Sequence, residues 1–144
     1  MTTALLEHVN LTVNDPKKTA AKLIEIFGWH VRWEGAAINN GYTVHVGTES
    51  RYIALYRPEN GRQIAPGTRD RAAERVGHLN HIAIVVDNLE ATEKRVQAAG
   101  YTPENHGDYE PGRRFYFYDH DDIEFEVVSY KHVMGFMEAA CLMK

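Results

Sequence analysis

The chain of 144 residues has the length of one domain or of two small units that share a core. Its formal net charge of -4, without a dense run of lysine and arginine, excludes the basic surface that nucleic-acid binding requires. No apolar run approaches the ~20 residues needed to cross a bilayer, and the start MTTALLEHVN does not resemble a secretory signal. We therefore expect a cytoplasmic protein that acts neither on a membrane nor on nucleic acid.

The first predicted elements are a strand and a helix. The segment LEHVNLTV at residues 6–13 alternates apolar and polar side chains, as a strand does, and His8 is its third residue. Asp15 and Pro16 then suit the N-cap and the first turn of a helix. Apolar residues recur at helical spacing after them, and Gly28 stands where the helix would end.

The same plan returns in the second half of the chain. LNHIAIVV at residues 79–86 repeats the first strand, again with a histidine, His81, at its third place. Asp87 or Asn88 can cap a second helix, which Gly100 would end. Each helix is followed by three strand-like runs, which are WHVRWEG, GYTVHVGT and RYIALYRP in the first half and YTPENHG, RRFYFYD and IEFEVVSY in the second.

This repetition predicts an α+β fold of two repeated βαβββ modules, which form a cupped mixed sheet with the helices on its outside. The predicted parts are a first module at residues 4–57, a linker at 58–77, a second module at 78–130 and a C-terminal helix at 131–144. We expect one domain built from these parts.

Alternation predicts which side chains share a face of the sheet. In both first strands the apolar residues face the helix, so His8 and His81 point to the opposite face. In IEFEVVSY, Ile123, Phe125 and Val127 would pack on the helix, which turns Glu124 and Glu126 toward the face of the histidines. A second carboxylate on one face is more often solvated, so Glu126 is predicted to be a solvated neighbour. The face to which His45 points is left open by the pattern.

The segment GRRFYFYDHDDIEFEVV resembles a stretch of the vicinal oxygen chelate superfamily, the glyoxalase, bleomycin resistance protein and extradiol dioxygenase group. That stretch reads G-x-x-x-[YF]-x-x-D-P-D-G-x-x-[IL]-E. Here His120 replaces its proline and Asp122 its glycine, and the turn is taken to be one or two residues shorter. The resemblance covers the chain to about Tyr130, and its two modules each carry a histidine on the first strand.

The resemblance implies a divalent metal ion, Fe, Mn, Ni, Zn, Co or Mg, held by His8, His81 and Glu124. The family's fourth ligand would fall on Ile53 or Ala54, neither of which can bind a metal. Three protein ligands leave coordination positions open, which is typical of catalytic sites and of Fe(II) oxygenases.

Three further residues are predicted to take part in catalysis. Tyr116 is similar to a tyrosine of the extradiol dioxygenases and would hydrogen-bond the substrate, while His106 or His45 would move protons. The favoured function is an extradiol-type dioxygenase acting on a small substrate through two neighbouring oxygens. The alternatives are a glyoxalase-like lyase or isomerase, a thiol-transferase, and a metal-free binding protein of the bleomycin-resistance type. The resemblance also implies a homodimer.

Overall fold

The structure is a computed structural model that describes residues 3–59 and 74–130. The chain divides into two compact units, Met1–Ile64 and Ala65–Lys144. Each contains one strand, one helix and three further strands in the predicted order, and each forms its own four-stranded mixed sheet. The predicted two-module α+β fold is thereby confirmed. Most of the predicted linker and the whole of the predicted C-terminal helix lie outside the described residues.

The first unit is a four-stranded sheet with one helix packed on it. Its strands lie in the order β1-β4-β3-β2, with β1 parallel to β4 and the other pairs antiparallel. A short 3-10 turn, Ile38–Asn40, joins β2 to β3. The elements are β1 (His8–Thr12), α1 (Pro16–Phe27), β2 (His30–Ala37), β3 (Gly41–Gly47) and β4 (Tyr52–Arg57).

The ends of α1 follow from its sequence. The Asp15 side chain accepts a hydrogen bond of 3.1 Å from the backbone N–H of Lys18, which satisfies a donor that the first turn leaves unpaired. Pro16 occupies the first turn, and Gly28 ends the helix in the left-handed region with φ of 71°. The helix then packs on β3 and β4, where Val44, Val46 and Leu55 are fully buried.

The second unit repeats this arrangement with strand order β5-β8-β7-β6. Its elements are β5 (Ile82–Val85), α2 (Leu89–Ala98), β6 (Glu104–Tyr109), β7 (Gly112–Tyr118) and β8 (Glu124–Tyr130). Of the two capping residues predicted for α2, Asn88 makes the cap, with its side chain accepting from the N–H of Ala91. The predicted strand at residues 101–107 instead begins at Glu104, because Pro103 has no N–H to donate to a strand partner.

The two faces of the second sheet differ as alternation predicts. Phe125 and Val127 are fully buried on the side that α2 covers, and Phe115 and Phe117 of β7 join them there. Ile123, which precedes β8, is only partly buried. The residues between these positions therefore point to the face that α2 leaves uncovered. Among the helices in the described ranges, none is both long enough and apolar enough to cross a membrane.

Candidate active site

The strand registers define equivalent positions in the two units. Two residues after the repeated histidines, Asn10 pairs with Ala54 and Ala83 pairs with Glu126. Ala54 is therefore the counterpart of Glu126. By the same registers the counterpart of Glu124 is Tyr52, which pairs with His8. Of the two positions predicted for the family's fourth ligand, Ile53 and Ala54, the register matches Ala54 to Glu126 and neither to Glu124.

In the second unit, His81 lies between the two carboxylates of β8. Its Nε2 atom is 2.9 Å from Oε2 of Glu126, and its Nδ1 atom is 3.8 Å from Oε1 of Glu124. Nδ1 is also 2.8 Å from Oδ1 of Asn80. The predicted face was therefore correct for all three side chains, since His81 contacts both Glu124 and Glu126 within this unit.

Glu126 is not the solvated neighbour that the sequence predicted. It is 7% exposed, and Arg114 donates a hydrogen bond of 2.8 Å from Nη1 to its other oxygen. Burying a carboxylate is costly unless it is paired, and here a guanidinium on one side and an imidazole on the other supply the pairing. The family stretch counted without a shortened turn also ends at Glu126, so the sequence contained a signal for this residue that the assumed gap concealed.

Tyr116 lies on the face of the second sheet that α2 leaves uncovered. It pairs with Glu126 across β7 and β8, and its ring meets the ring of His81 edge-on at 5.7 Å between centroids. Burial raises the pKa of Tyr116, and the negative charge of Glu126 raises it further. The phenol consequently keeps its proton at neutral pH and can donate a hydrogen bond.

His106 lies on the other face of this sheet. Its Nε2 atom is 2.5 Å from Oε1 of Glu93 on α2, and its ring stacks on the buried ring of Phe115. The pairing of β6 with β7 shifts register between Glu104 and Gly107, and such a bulge reverses the facing of the residues that follow it. The structure therefore does not bring His106 together with Tyr116 and His81.

In the first unit, three rings form a stack on the face of the sheet opposite α1. Tyr52 lies between His8 and His45, with centroid distances of 4.8 Å to His8 and 4.6 Å to His45. Glu7 fixes one end, because its carboxylate accepts a hydrogen bond of 3.0 Å from the Tyr52 hydroxyl and lies 2.9 Å from Nδ1 of His8. These two contacts lower the pKa of Glu7.

The stack settles the open question about His45, which shares a face with His8. Burial lowers the pKa of His45, and the positive charges of His8 and Arg32 lower it further, while Glu7 acts in the opposite direction. The lowered pKa favours the neutral form of this imidazole. A neutral imidazole has a lone pair that can accept a proton, which is what a general base needs.

The donors of the second unit suit a divalent ion. When two ligand atoms each lie about 2.1 Å from an ion and subtend a right angle there, they are about 3 Å apart. The distance between Nε2 of His81 and Oε2 of Glu126 is 2.9 Å, close to that spacing. Imidazole nitrogen with carboxylate oxygen is also the donor set that first-row divalent metals accept. Within residues 3–59 and 74–130, no group of three or more His, Cys, Asp or Glu side chains is arranged to hold a metal ion. The described residues thus supply one pair of donors, His81 and Glu126, whose chemistry fits such an ion.

Solved structures share this fold at low sequence identity. A glyoxylase/bleomycin resistance protein/dioxygenase domain from Frankia sp. EAN1pec is 21% identical with a TM-score of 0.74, covering 90% of this chain and 100% of that one. The fosfomycin resistance protein FosX from Listeria monocytogenes is 22% identical with a TM-score of 0.67, covering 90% of this chain and 96% of that one. FosX from Mesorhizobium loti is 20% identical with a TM-score of 0.64, covering 96% and 99%.

Some of these relatives were solved with a metal. One structure of the Listeria monocytogenes FosX is a complex with Mn(II) and sulfate, and another, of a variant, holds Mn(II) and 1S,2S-dihydroxypropylphosphonic acid. No curated protein matches the chain. The sequence profile of one family covers residues 5–127, which is most of the chain and spans the described parts of both units. The chain therefore belongs to the Glyoxalase/Bleomycin resistance protein/Dioxygenase superfamily.

Proposed function

We propose that the chain is a divalent-metal-dependent enzyme that uses His45 as a general base on a small substrate with two neighbouring oxygens. The reaction class is proton transfer or addition next to an oxygen-bearing carbon, as in a lyase, an isomerase or a transferase. The observation that carries this proposal is the imidazole of His45, whose pKa is lowered and which stacks on Tyr52. A base must be unprotonated and held in one orientation before the substrate arrives. The lowered pKa of His45 supports the first requirement, and its stacking on Tyr52 supports the second.

The proposed ligands are those that the family resemblance implies, namely His8, His81 and one carboxylate. The sequence predicts Glu124 as that carboxylate, whereas the 2.9 Å spacing from His81 and the position in the family stretch favour Glu126. We therefore propose Glu126 as the ligand and Glu124 as a neighbour of the site. When bound, a divalent ion would act as a Lewis acid toward the substrate oxygens. The relatives with Mn(II) make that ion the first to test.

Other side chains support this chemistry through their own contacts. Tyr116 keeps its proton and would donate a hydrogen bond to a substrate oxygen. Arg114 neutralises one oxygen of Glu126 and so holds that carboxylate in a fixed orientation. We propose no proton-transfer role for His106, because its contacts with Glu93 and Phe115 hold it on the helix side of the sheet.

Extradiol-type dioxygenation is the second candidate function. The observation that favours it is the position of Tyr116 beside His81, since the predicted role of this tyrosine is a hydrogen bond to a catechol-type substrate. His106 and His45 are the two histidines predicted to move protons in that reaction. Because His106 lies on the helix side of the sheet, we propose His45 for this role. We also propose that the protein is a homodimer, as the family resemblance implies, and light scattering would measure this.

The deciding experiment starts from chelator-treated protein reloaded separately with Mn(II), Fe(II), Zn(II) or Ni(II). Metal-dependent conversion of hydroxycarbonyl or epoxide substrates without oxygen uptake is the expected result. Oxygen uptake with a catechol panel would establish the second candidate and overturn the first. A protein that retains no stoichiometric metal under any condition would overturn both and leave a ligand-binding protein.

A matched pair of variants tests the ligand assignment separately. Glu126→Gln should lose stoichiometric metal, whereas Glu124→Gln should retain it, with His81→Ala as the variant expected to lose metal in either case. Circular dichroism verifies that the variants are folded. Loss of metal in Glu124→Gln with retention in Glu126→Gln would overturn the choice of Glu126 and restore the sequence prediction.

A further inference from the structure

A cleft of about 320 Å³ opens on the first unit, beside the stack of Tyr52 and His45. Its other walls come from β2 and from the loop after β3, including Arg32, Trp33 and Glu49. The volume is at the lower end of the range of small-molecule sites, which is roughly 300 to 1,000 Å³. It therefore suits a ligand of the size of one substituted ring.

A β-bulge brings two consecutive side chains of β2 to this cleft. Val31 pairs with Val46 and Trp33 pairs with His45, so Arg32 is the extra residue of the bulge. The Arg32 guanidinium lies over the Tyr52 ring at 4.3 Å, and the Trp33 indole meets His45 edge-on at 5.3 Å. In a regular strand these neighbours would face opposite sides of the sheet. The bulge instead presents a cation and an indole to one ligand.

The indole offers an uncovered aromatic surface. Trp33 is 52% exposed, which is unusual for so large an apolar side chain, and its ring lies along the strand over Gly35. A Cβ at position 35 would come within 2.9 Å of the indole, so only glycine permits this placement. A planar ring bound here would remove apolar indole surface from water and stack on it, and both effects favour binding.

The cleft also contains one guanidinium, that of Arg32. The two carboxylates of the cleft have partners, since Glu7 contacts His8 and Tyr52 while Glu49 lies 2.8 Å from Nε2 of His30. In the described ranges Arg32 forms no close ion pair with a carboxylate, although its positive charge helps to lower the pKa of Glu7. Its contact with Tyr52 uses the flat face of the guanidinium. The N–H groups at its edge lie in the plane of the group and match a carboxylate in paired hydrogen bonds.

We propose that this cleft binds an aromatic carboxylate, with the ring against Trp33 and the carboxylate on the N–H edge of Arg32. This rests on the proposed function, because it names the substrate class on which His45 would act. The indole selects for a flat ring, and the guanidinium selects for a planar anion. Neither selection requires the metal ion, so the binding can be measured without it.

The test uses Trp29→Phe protein, in which Trp33 is the only tryptophan, and follows its fluorescence in the presence of a chelator. Three probes separate the two selections: benzoate has ring and charge, acetate has charge alone, and benzyl alcohol has the ring alone. Benzoate should change the Trp33 signal with saturation, at concentrations at least about tenfold lower than the other two probes. Equal responses to all three probes, or no saturable response to benzoate, would overturn the proposal.

Variants then attribute the binding to its parts. Arg32→Gln should weaken benzoate at least about tenfold while leaving benzyl alcohol unchanged, because it removes the charge and the paired donors. Gly35→Ala should weaken both ring probes by displacing the indole. Arg113→Gln, on the second unit where the native side chain pairs with Glu90, is the matched control and should bind benzoate like the parent. Unchanged benzoate binding in folded Arg32→Gln would refute the assignment.

The outcome is independent of the metal experiments. Benzoate binding that persists in chelator establishes the cleft, even if no metal-dependent reaction is found. Metal-dependent turnover confined to non-aromatic substrates, with no benzoate binding, would overturn the substrate class and leave the proposed reaction class standing.

Discussion

His45 and Tyr116 occupy the same place in the two units. His45 pairs with Ala54, and Tyr116 pairs with Glu126, the counterpart of Ala54 in the second unit. Each ring also contacts the aromatic partner on the uncovered face of its own sheet, which is Tyr52 for His45 and His81 for Tyr116. The repeat has thus placed an imidazole in one unit and a phenol at the equivalent position of the other. Because the two side chains differ in chemistry, variants of His45 and of Tyr116 are expected to have different effects.

Replacing His45 should lower turnover far more than replacing Tyr116. His45→Gln removes a general base and should lower kcat about 10²- to 10⁴-fold without changing the metal content. Tyr116→Phe removes one hydrogen bond and should lower kcat/KM about tenfold. His78→Gln, at an exposed residue before β5, is the control and should leave kcat unchanged. Steady-state kinetics with metal analysis measures this, and a larger loss in Tyr116→Phe would favour the dioxygenase candidate.

The decline of activity at acid pH should reflect the protonation of His45. Its pKa is lowered below 6.5, so the neutral base persists as the pH falls below that value and activity should decline only at lower pH. Arg32→Gln removes a positive neighbour and should raise the pKa of this limb, whereas Glu7→Gln removes a negative neighbour and should lower it. Profiles of kcat/KM for the three proteins measure the shifts. If the acid side of the profile has the same pKa in all three proteins, a group other than His45 is the one that titrates.

The buried carboxyl of Asp119 should make stability depend on pH. One of its oxygens accepts from the N–H groups of Asp121 and Ile123, the side chain is 5% exposed, and burial raises its pKa above 3.8. A raised pKa means that the folded state holds the proton more tightly. This contribution to the free energy of unfolding is fully present below pH 3.8 and is lost as the pH rises through the raised value.

Asp119→Asn removes that titration and keeps the accepting oxygen. The free energy of unfolding of the parent should therefore fall, relative to the variant, between acid and neutral pH. Denaturant titrations across that range measure the difference, and Asp87→Asn at an exposed site is the control. A parent-to-variant difference that stays constant with pH would contradict the assignment.

The hydrogen bond that caps α1 should contribute measurably to the free energy of unfolding. Asp15→Ala removes the acceptor for the Lys18 N–H and should lower the free energy of unfolding by about 1 kcal/mol. Asp15→Asn keeps a capping oxygen and should lose much less. Chemical denaturation compares the two variants. An equal loss in both would show that the charge, rather than the hydrogen bond, stabilises the helix end.

Local patterns were sufficient to predict the elements. Asp15 and Gly28 mark the ends of α1 because capping depends on a few adjacent residues. Alternation placed Phe125 and Val127 in the core and turned Glu124 and Glu126 away from it, since a strand has a period of two wherever it is regular. The predicted C-terminal helix at residues 131–144 lies outside the described residues.

The sequence by itself determined the repeat, its helix caps and the faces of its regular strands, because these depend on neighbours along the chain. Only the tertiary structure decided which carboxylate pairs with His81, and that His106 faces α2 while Arg32 and Trp33 share one cleft. Register and bulges decide these contacts, and both arise from pairing between strands distant in sequence. A shift of one residue in that pairing moves a side chain to the other face of the sheet.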